Sequence, residues 1–404
     1  MKILLVHNDY GKYSGEEAVV DRMNAMFQAL GHKVVQLRRS TANIRESAAG
    51  KIRTFTNGIY SPAGVRAMRD IINTEKPDLV NIHNLFPFIG PAALRECKKA
   101  GVPVVMTVHN YRLVCPTGLF FNNGMPCELC LDNGNEWNCI KRNCENSIPK
   151  SVAYALRNFI ARKKRHYLEC VDIFACLTEF QKNKLIQAGY PENKIYVIPN
   201  SFDSDIRPTF ETGQYVAFSG RISHEKGIDL IIETARRNPS IPFRLAGALR
   251  DSGLTGEIPE NVVFEGHLSG NDYLNFLSHA RFIVMASRCY EGFPMAILEG
   301  AAHGKPVVAP DHGGFTEIVG KNNSTGRLFM PGNVVDLEKQ VRLLWNDTEL
   351  CRQLGMNAHK KLIECYSTQA VSKKWADIIG KFDNRPLKPH RINSQYCGNI
   401  RKKM

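Results

Sequence analysis

Apolar positions in the first half of the chain come in short blocks, separated by stretches with helical spacing. Ile3–Val6 reads as a buried strand, Ala18–Leu30 as a helix closed by Gly31, and Val34–Leu37 as the next strand. The alternation continues with a helix over Pro62–Glu75, a strand over Leu79–His83, a helix over Pro91–Ala100 and a strand over Val104–Val108. Further on, Ile173–Leu177, Glu179–Ala188 (ended by Gly189) and Ile195–Ile198 repeat the strand, helix, strand order. Unbroken apolar strands between helices argue for a parallel sheet covered on both faces.

Around Pro199–Gly213 the pattern dissolves into polar residues with two prolines, and then it restarts. Tyr215–Ser219, Phe243–Ala246, Val262–Phe264, Phe282–Met285 and Pro306–Ala309 read as strands. Gly227–Asn238, Asn271–Ala280, Pro294–His303 and Asp336–Asn346 read as the helices between them. The expectation is an α/β protein of two similar Rossmann-like halves, with the ligand in the cleft between them. The first half spans 1–200, with a Cys-rich insertion at about 115–144. The second spans 201–366, and a helix within 367–383 folds back to complete the first half. A basic tail occupies 384–404.

Composition adds little until charge is mapped. At 404 residues, 43% hydrophobic and 23% charged, the chain is long enough for two cores and ordinary for a globular protein. No apolar run approaches the roughly 20 residues of a bilayer span. The short, soon-polar N-terminus lacks the form of a signal peptide, so the expected location is cytoplasmic.

The net charge of +14 is uneven: residues 1–190 carry 26 Lys+Arg against 16 Asp+Glu, the rest 27 against 23. The densest cluster lies in Tyr154–Leu168, where Leu156, Phe159, Ile160 and Leu168 form an apolar side and cations surround them. Such a helix suits the anionic inner face of a membrane, or is simply a solvated basic helix. No base-reading motif accompanies the charge, so nucleic acid is not an expected partner.

Twelve Cys without a secretion signal are expected to be reduced thiols. Five crowd one loop-like interval: Cys115, then Cys127-x2-Cys130-x8-Cys139-x4-Cys144. Thiolates paired this way can hold a structural zinc ion; free or redox-labile thiols are the other reading.

The densest candidate chemistry is Tyr290–Ala301. Glu291 and Glu299 stand eight positions apart, astride a Gly292-Phe293-Pro294 turn that opens an apolar helix. Pro294 suits a first helical position, and the free N–H groups of that turn with the helix dipole offer a seat for phosphate. Gly220–Gly227 follows the first strand of the second half, where Arg221 and Lys226 can grip a diphosphate. His109 ends a strand, the position where open α/β sheets gather ligand groups. His7–Glu17 is a polar turn in which Gly15 lets backbone N–H groups approach an anion. Gly313 and Gly314 precede another helix start.

Together these residues resemble a retaining glycosyltransferase of family 4, a group with the two-domain GT-B fold. The matching segments are Ser14-Gly15-Glu16, His109, Pro199–Asp203, Gly220-Arg221 with Glu225–Gly227, Val263–Gly266, Glu291–Pro294 with Glu299, and Gly313-Gly314 with Glu317. The resemblance implies that the second half binds a nucleoside-diphosphate sugar and the first half a saccharide or lipid-linked saccharide acceptor. Arg221 and Lys226 then correspond to the cations on the diphosphate, and Glu299 to the carboxylate on the ribose. Glu291 and His109 correspond to the groups that orient the transferred sugar. Gly15 and Glu16 border diphosphate and acceptor, while Phe264 lies beside the base. No catalytic metal is implied. Two departures accompany the match: Ser14-Gly15 stands where many members have Gly-Gly, and the Cys-rich insertion follows His109. A nucleotide-sugar epimerase, a sugar phosphorylase and a non-catalytic nucleotide-sugar sensor are the rival readings.

Overall fold

The computed structural model describes residues 1–10, 15–40, 57–132, 134–202, 206–249, 254 and 256–383. The basic tail, Ser14 and Asp203 lie outside the described residues.

The first lobe runs β1 (Lys2–Asp9), α1 (Gly15–Ala29), β2 (Lys33–Ser40), α2 (Pro62–Glu75), β3 (Leu79–Ile82), α3 (Leu94–Ala100) and β4 (Val104–Val108). The insertion follows: a hairpin of β5 (Phe121–Asn122) and β6 (Met125–Pro126), then α4 (Leu129–Asp132) and α5 (Asn138–Lys141). After it come α6 (Ile148–Lys163), α7 (His166–Cys170), β7 (Ile173–Cys176), α8 (Glu179–Gln187) and β8 (Ile195–Val197). The second lobe comprises β9 (Tyr215–Ser219), α9 (Ile228–Arg237), β10 (Phe243–Ala246), β11 (Val262–Gly266), α10 (Gly270–Ser278), β12 (Ala280–Val284), α11 (Met295–Ala302) and β13 (Val307–Pro310). It closes with α12 (Gly314–Val319), β14 (Gly326–Phe329), α13 (Val334–Asn346), α14 (Thr348–Lys361), a π turn over Leu362–Tyr366 and α15 (Thr368–Asp383).

Each lobe holds a six-stranded sheet, ordered β2-β1-β3-β4-β7-β8 and β11-β10-β9-β12-β13-β14, and all the pairings are parallel. Strands such as Leu79–Ile82, Val104–Val108 and Val307–Pro310 are buried throughout, which is why their sequences do not alternate. Because each sheet is parallel, the C-terminal ends of its strands share one edge, and the polar loops that follow them gather there.

α15 packs on the first lobe rather than the second. Val371, Trp375, Ile378, Ile379 and Phe382 join Ile3, Leu5, Met23, Met26 and Phe27 in one buried cluster, with the Trp375 ring edge-on to Phe27 at 5.3 Å. The connection around residues 199–213 is tied to the second lobe by Phe202 N–H to the Tyr366 carbonyl at 2.9 Å and Thr209 N–H to the His303 carbonyl at 3.2 Å.

The structure corrects three local expectations. The basic stretch is not one helix: it breaks at Arg165, whose φ of 51° ends the helical path between α6 and α7. Its buried face is Ser151, Ala153, Ala155, Arg157, Asn158 and Ala161, while Leu156, Phe159 and Ile160 are only half-buried. Arg157 can be buried because its Nη2 donates to the Pro116 carbonyl at 2.6 Å and its guanidinium stacks on Phe86 and Tyr154. Finally, Pro294 is the cap residue, one position before the first residue of α11.

Trp375→Ala is expected to cost about 3–5 kcal/mol, because a fully buried indole leaves a cavity at the junction of α1, β1 and α15. Urea unfolding monitored by circular dichroism measures it. A change under 1 kcal/mol would show that α15 does not stabilise the first lobe.

Candidate functional site

The loop after β9 and the loop after β12 meet at the same edge of the second sheet. Lys226 Nζ lies 2.6 Å from Glu291 Oε1, with both side chains largely buried (14% and 13% exposed). The Ser287 hydroxyl donates to the same carboxylate oxygen. Burial would raise the Glu291 carboxyl, but Lys226, the Ser287 hydroxyl and nearby Arg221 outweigh it and hold it below its ordinary value. Arg221 is more open, 43% exposed, and pairs with Glu225 at 3.2 Å. A carboxylate and an ammonium are therefore in contact here, with a second cation at the rim.

Glycine makes this junction possible. Gly227 has φ +68°, and a Cβ there would sit 2.0 Å from the Ala286 carbonyl oxygen, so the cation loop can press against the end of β12 only without a side chain. Gly314 plays the matching part on α12. Its N–H donates to the Glu291 carbonyl at 3.2 Å, and a Cβ would meet the Gly292 oxygen at 2.7 Å.

The first lobe reaches this turn. A Cβ on Gly292 would stand 3.1 Å from the His109 carbonyl oxygen, and the Tyr111 hydroxyl donates to the Glu291 carbonyl at 3.4 Å. Glu179 N–H donates to Glu317 at 2.7 Å across the same seam. The His109 ring is held by a chain of polar groups. Asn81 Nδ2 donates to the Val105 carbonyl and to Thr107 Oγ1, both at 3.2 Å, so its oxygen must accept from His83 Nε2 at 2.7 Å. His83 Nδ1 is then an acceptor and takes the Nε2 proton of His109 at 2.7 Å. That order leaves His109 Nδ1 as a lone-pair acceptor. Burial lowers the His109 imidazole to about 4, so it is neutral near pH 7. A cavity of about 30 Å³, room for a water or two, adjoins His83, Asn84, Thr107 and His109.

Glu299 occupies a neighbouring polar group rather than the same one. Its Oε2 accepts from the Tyr273 hydroxyl at 2.5 Å, and that hydroxyl also meets Ser219 Oγ at 2.8 Å. Burial raises the Glu299 carboxyl, while Tyr273 and Arg22 of the first lobe pull the other way.

The other sequence candidates scatter around this centre. Phe293 is buried against Tyr366, ring centroids 5.5 Å apart, so its side chain belongs to the core and only its backbone can face a ligand. Pro294 is buried as well. Phe264 is 37% exposed on the edge strand β11. Gly15 begins α1. Glu16 sits in a first-lobe group of its own: Tyr10 donates to it at 3.0 Å, Arg112 binds the Tyr10 hydroxyl at 3.3 Å, and His7 lies 3.9 Å away. Cys127, Cys130, Cys139 and Cys144 are free thiols in the insertion.

Sequence reasoning missed Ser287, Tyr273, His83, Asn81, Tyr10 and Arg112. His83 directly follows β3 as His109 directly follows β4, one strand over in a parallel sheet, which is the signal that could have paired them.

Among the described residues, the one compact set of ligand-type atoms is His7, Asp9 and Glu17, within 4.8 Å of one another. Arg38 already lies 2.8 Å from Asp9 and supplies positive charge there.

The neutral state of His109 has a pH consequence. Its folded pKa lies below the unfolded value of about 6.5, so unfolded chains take up a proton that folded chains refuse. The stability is complete above about pH 6.5 and is lost as pH falls toward 4. His83, also depressed by burial, adds to the slope. Urea midpoints taken from neutral pH down to about 5 should fall in the wild type and fall less steeply in His109→Asn. An unchanged slope in the variant would contradict a buried neutral imidazole.

Residues 13–206 match the family model described as Glycosyltransferase Family 4, and residues 200–361 match Glycosyl transferases group 1. An uncharacterized glycosyltransferase of Methanocaldococcus jannaschii is 28% identical over 319 residues, 76% of each chain. The poly(ribitol-phosphate) alpha-N-acetylglucosaminyltransferase of Staphylococcus aureus is 26% identical over 217 residues, 50% of this chain and 43% of that one. Among solved structures, Anabaena HepE in complex with UDP-glucose is similar with a TM-score of 0.66 and 18% identity, over 94% of this chain and 100% of that one.

Proposed function

The chain is a glycosyltransferase of the GT-B type, and on that premise we propose that it moves a hexosyl group from a nucleoside-diphosphate sugar to an acceptor hydroxyl with retention of configuration. The acceptor class proposed is a cell-envelope or extracellular saccharide, free or lipid-linked, in keeping with a relative that acts on poly(ribitol-phosphate). The reading is carried by one observation: Lys226 and Glu291 in contact at the strand ends of the second lobe, against the turn that His109 meets from the first.

Charge develops on the diphosphate as the sugar–oxygen bond breaks, so cations already in place there lower the barrier most. Lys226 and Arg221 supply that charge, and the first-turn N–H groups of α11 add oriented dipoles. With a diphosphate bound, Lys226 is shared between phosphate and Glu291, and the carboxylate is an acceptor for hydroxyls of the transferred sugar. The free lone pair on His109 Nδ1 accepts a further sugar hydroxyl. Glu299, with Tyr273 and Ser219, is a short-range acceptor for the ribose. Retention follows if the acceptor attacks on the leaving-group side and a phosphate oxygen takes its proton. Closing the two lobes over these groups would exclude water and limit hydrolysis.

Peripheral membrane contact is part of the same proposal, through Lys163 and Lys164. Of the neighbouring cations, Arg162 is held by Glu136 at 2.6 Å and Arg165 by Glu169 at 3.1 Å. No helix among the described residues is long and apolar enough to cross a membrane.

Lys226→Ala should lower kcat roughly a hundredfold, as expected when one preorganised charge is lost, and should also lower the urea midpoint because Glu291 is left buried without its partner. Turnover within a few-fold of wild type would remove the diphosphate assignment. Thermal shifts with UDP-, GDP- and ADP-sugars should single out one base, because a ligand that binds the native state raises its stability. With that donor and an accepted saccharide, NMR of the product should show the donor's anomeric configuration. An inverted product would defeat retention, and an epimerised donor or dependence on inorganic phosphate would replace the transferase reading.

A further inference from the structure

Tyr290 belongs to the second-lobe chain but packs against the buried core of the first lobe. Three first-lobe rings meet it, all edge-on: Phe180 of α8 at 4.9 Å between centroids, Phe120 at 6.0 Å and Tyr111 at 6.5 Å. Edge-to-face aromatic pairs attract over this range. The three rings also hold one another, since Tyr111 lies 4.9 Å from Phe120 and 6.3 Å from Phe180. Lys184 of α8 closes the rim, 6.0 Å from the centre of the Tyr290 ring, and its ammonium is held by Glu128 of the insertion at 2.5 Å. Burial, and then the neighbouring Glu128 carboxylate, raises the Tyr290 hydroxyl, so the ring enters this socket uncharged.

Both sides of the contact are built. On the first lobe, Phe120 has φ 48°, a left-handed backbone that a bulky side chain rarely adopts, yet its ring is fully buried. On the second, His312 stands edge-on behind Tyr290 at 5.4 Å, and its Nε2 donates to the Ser287 carbonyl at 2.9 Å. The next two residues meet the first lobe as well. The Glu291 carbonyl accepts from the Tyr111 hydroxyl at 3.4 Å, and a Cβ on Gly292 would stand 3.1 Å from the His109 carbonyl oxygen. Tyr111 thus touches both the Tyr290 ring and the backbone of Glu291, whose carboxylate is paired with Lys226.

We propose that Tyr290 is a positioning residue: its ring is a second-lobe knob seated in a first-lobe socket of Tyr111, Phe120 and Phe180, and seating it sets Glu291 and Gly292 against His109. The seat for the nucleoside diphosphate is then a property of the second lobe alone, whereas the reacting geometry is complete only when the lobes are docked through this knob. Phe120 comes from the insertion that follows His109, so that insertion supplies part of the socket. The inference rests on the donor reading given above.

The test uses the full chain. The nucleoside diphosphate of the base singled out by thermal shifts is the calorimetric probe, and the matching sugar donor is used for turnover. Tyr290→Ala should lower kcat roughly a hundredfold, the effect of misplacing a reacting group by about 1 Å, while the Kd for the nucleoside diphosphate stays near that of wild type. Tyr290→Phe should recover most of the turnover, because the ring fills the socket. Phe180→Ala, made from the other side of the contact, should show the same split between kcat and Kd. Its loss should not add to that of Tyr290→Ala in the double variant. Turnover within a few-fold of wild type in Tyr290→Ala, nucleotide affinity lost in step with kcat, no recovery in Tyr290→Phe, or additive losses with Phe180→Ala would each overturn the proposal. A wild-type chain that binds none of the nucleoside diphosphates would defeat the donor reading, and this proposal with it.

Discussion

The contact between Lys226 and Glu291 is the constraint on which the cleft depends. A buried ammonium and a buried carboxylate are each costly alone and tolerable together. Their pairing ties the loop after β9 to the turn before α11, so two strand ends are held at one spacing. That requirement explains the glycines around it. Gly227 lets the cation loop lie on Ala286, and Gly314 lets α12 close on Glu291. A side chain at either place would push the two charges apart.

The first lobe meets this pair with the neutral ring of His109. His109 is kept uncharged by burial and is oriented by the Asn81–His83 chain behind it, so it does not compete with Lys226 for an anion. The result is an asymmetric cleft, with Lys226 and Arg221 on the second-lobe side and hydrogen-bonding groups on the other. Such an arrangement suits a substrate that carries its charge at one end and hydroxyls at the other.

The strand and helix order was legible because the runs at Ile3–Val6, Val104–Val108 and Tyr215–Ser219 are buried on both faces and leave an unmistakable apolar signature. β14 and α14 escaped notice: Gly326–Phe329 contains an arginine, and Thr348–Lys361 is too polar to show a clear stripe. In the site, Lys226 and Glu291 could be picked out by their place after strands. Their direct contact could not, since 65 positions separate them. Phe293 misled because the turn that exposes its backbone turns its ring into the core. Arg157 likewise looked like part of a solvated face and instead stacks on aromatic rings inside the lobe.

The most direct measurement is a double-mutant cycle on Lys226 and Glu291, read as nucleoside-diphosphate-sugar affinity by calorimetry. If the two charges form one organised seat, Lys226→Met and Glu291→Gln should each weaken binding roughly ten- to a hundredfold, and the double variant should be little worse than either. Independent, additive losses, or affinity unchanged by removing Lys226, would contradict the account.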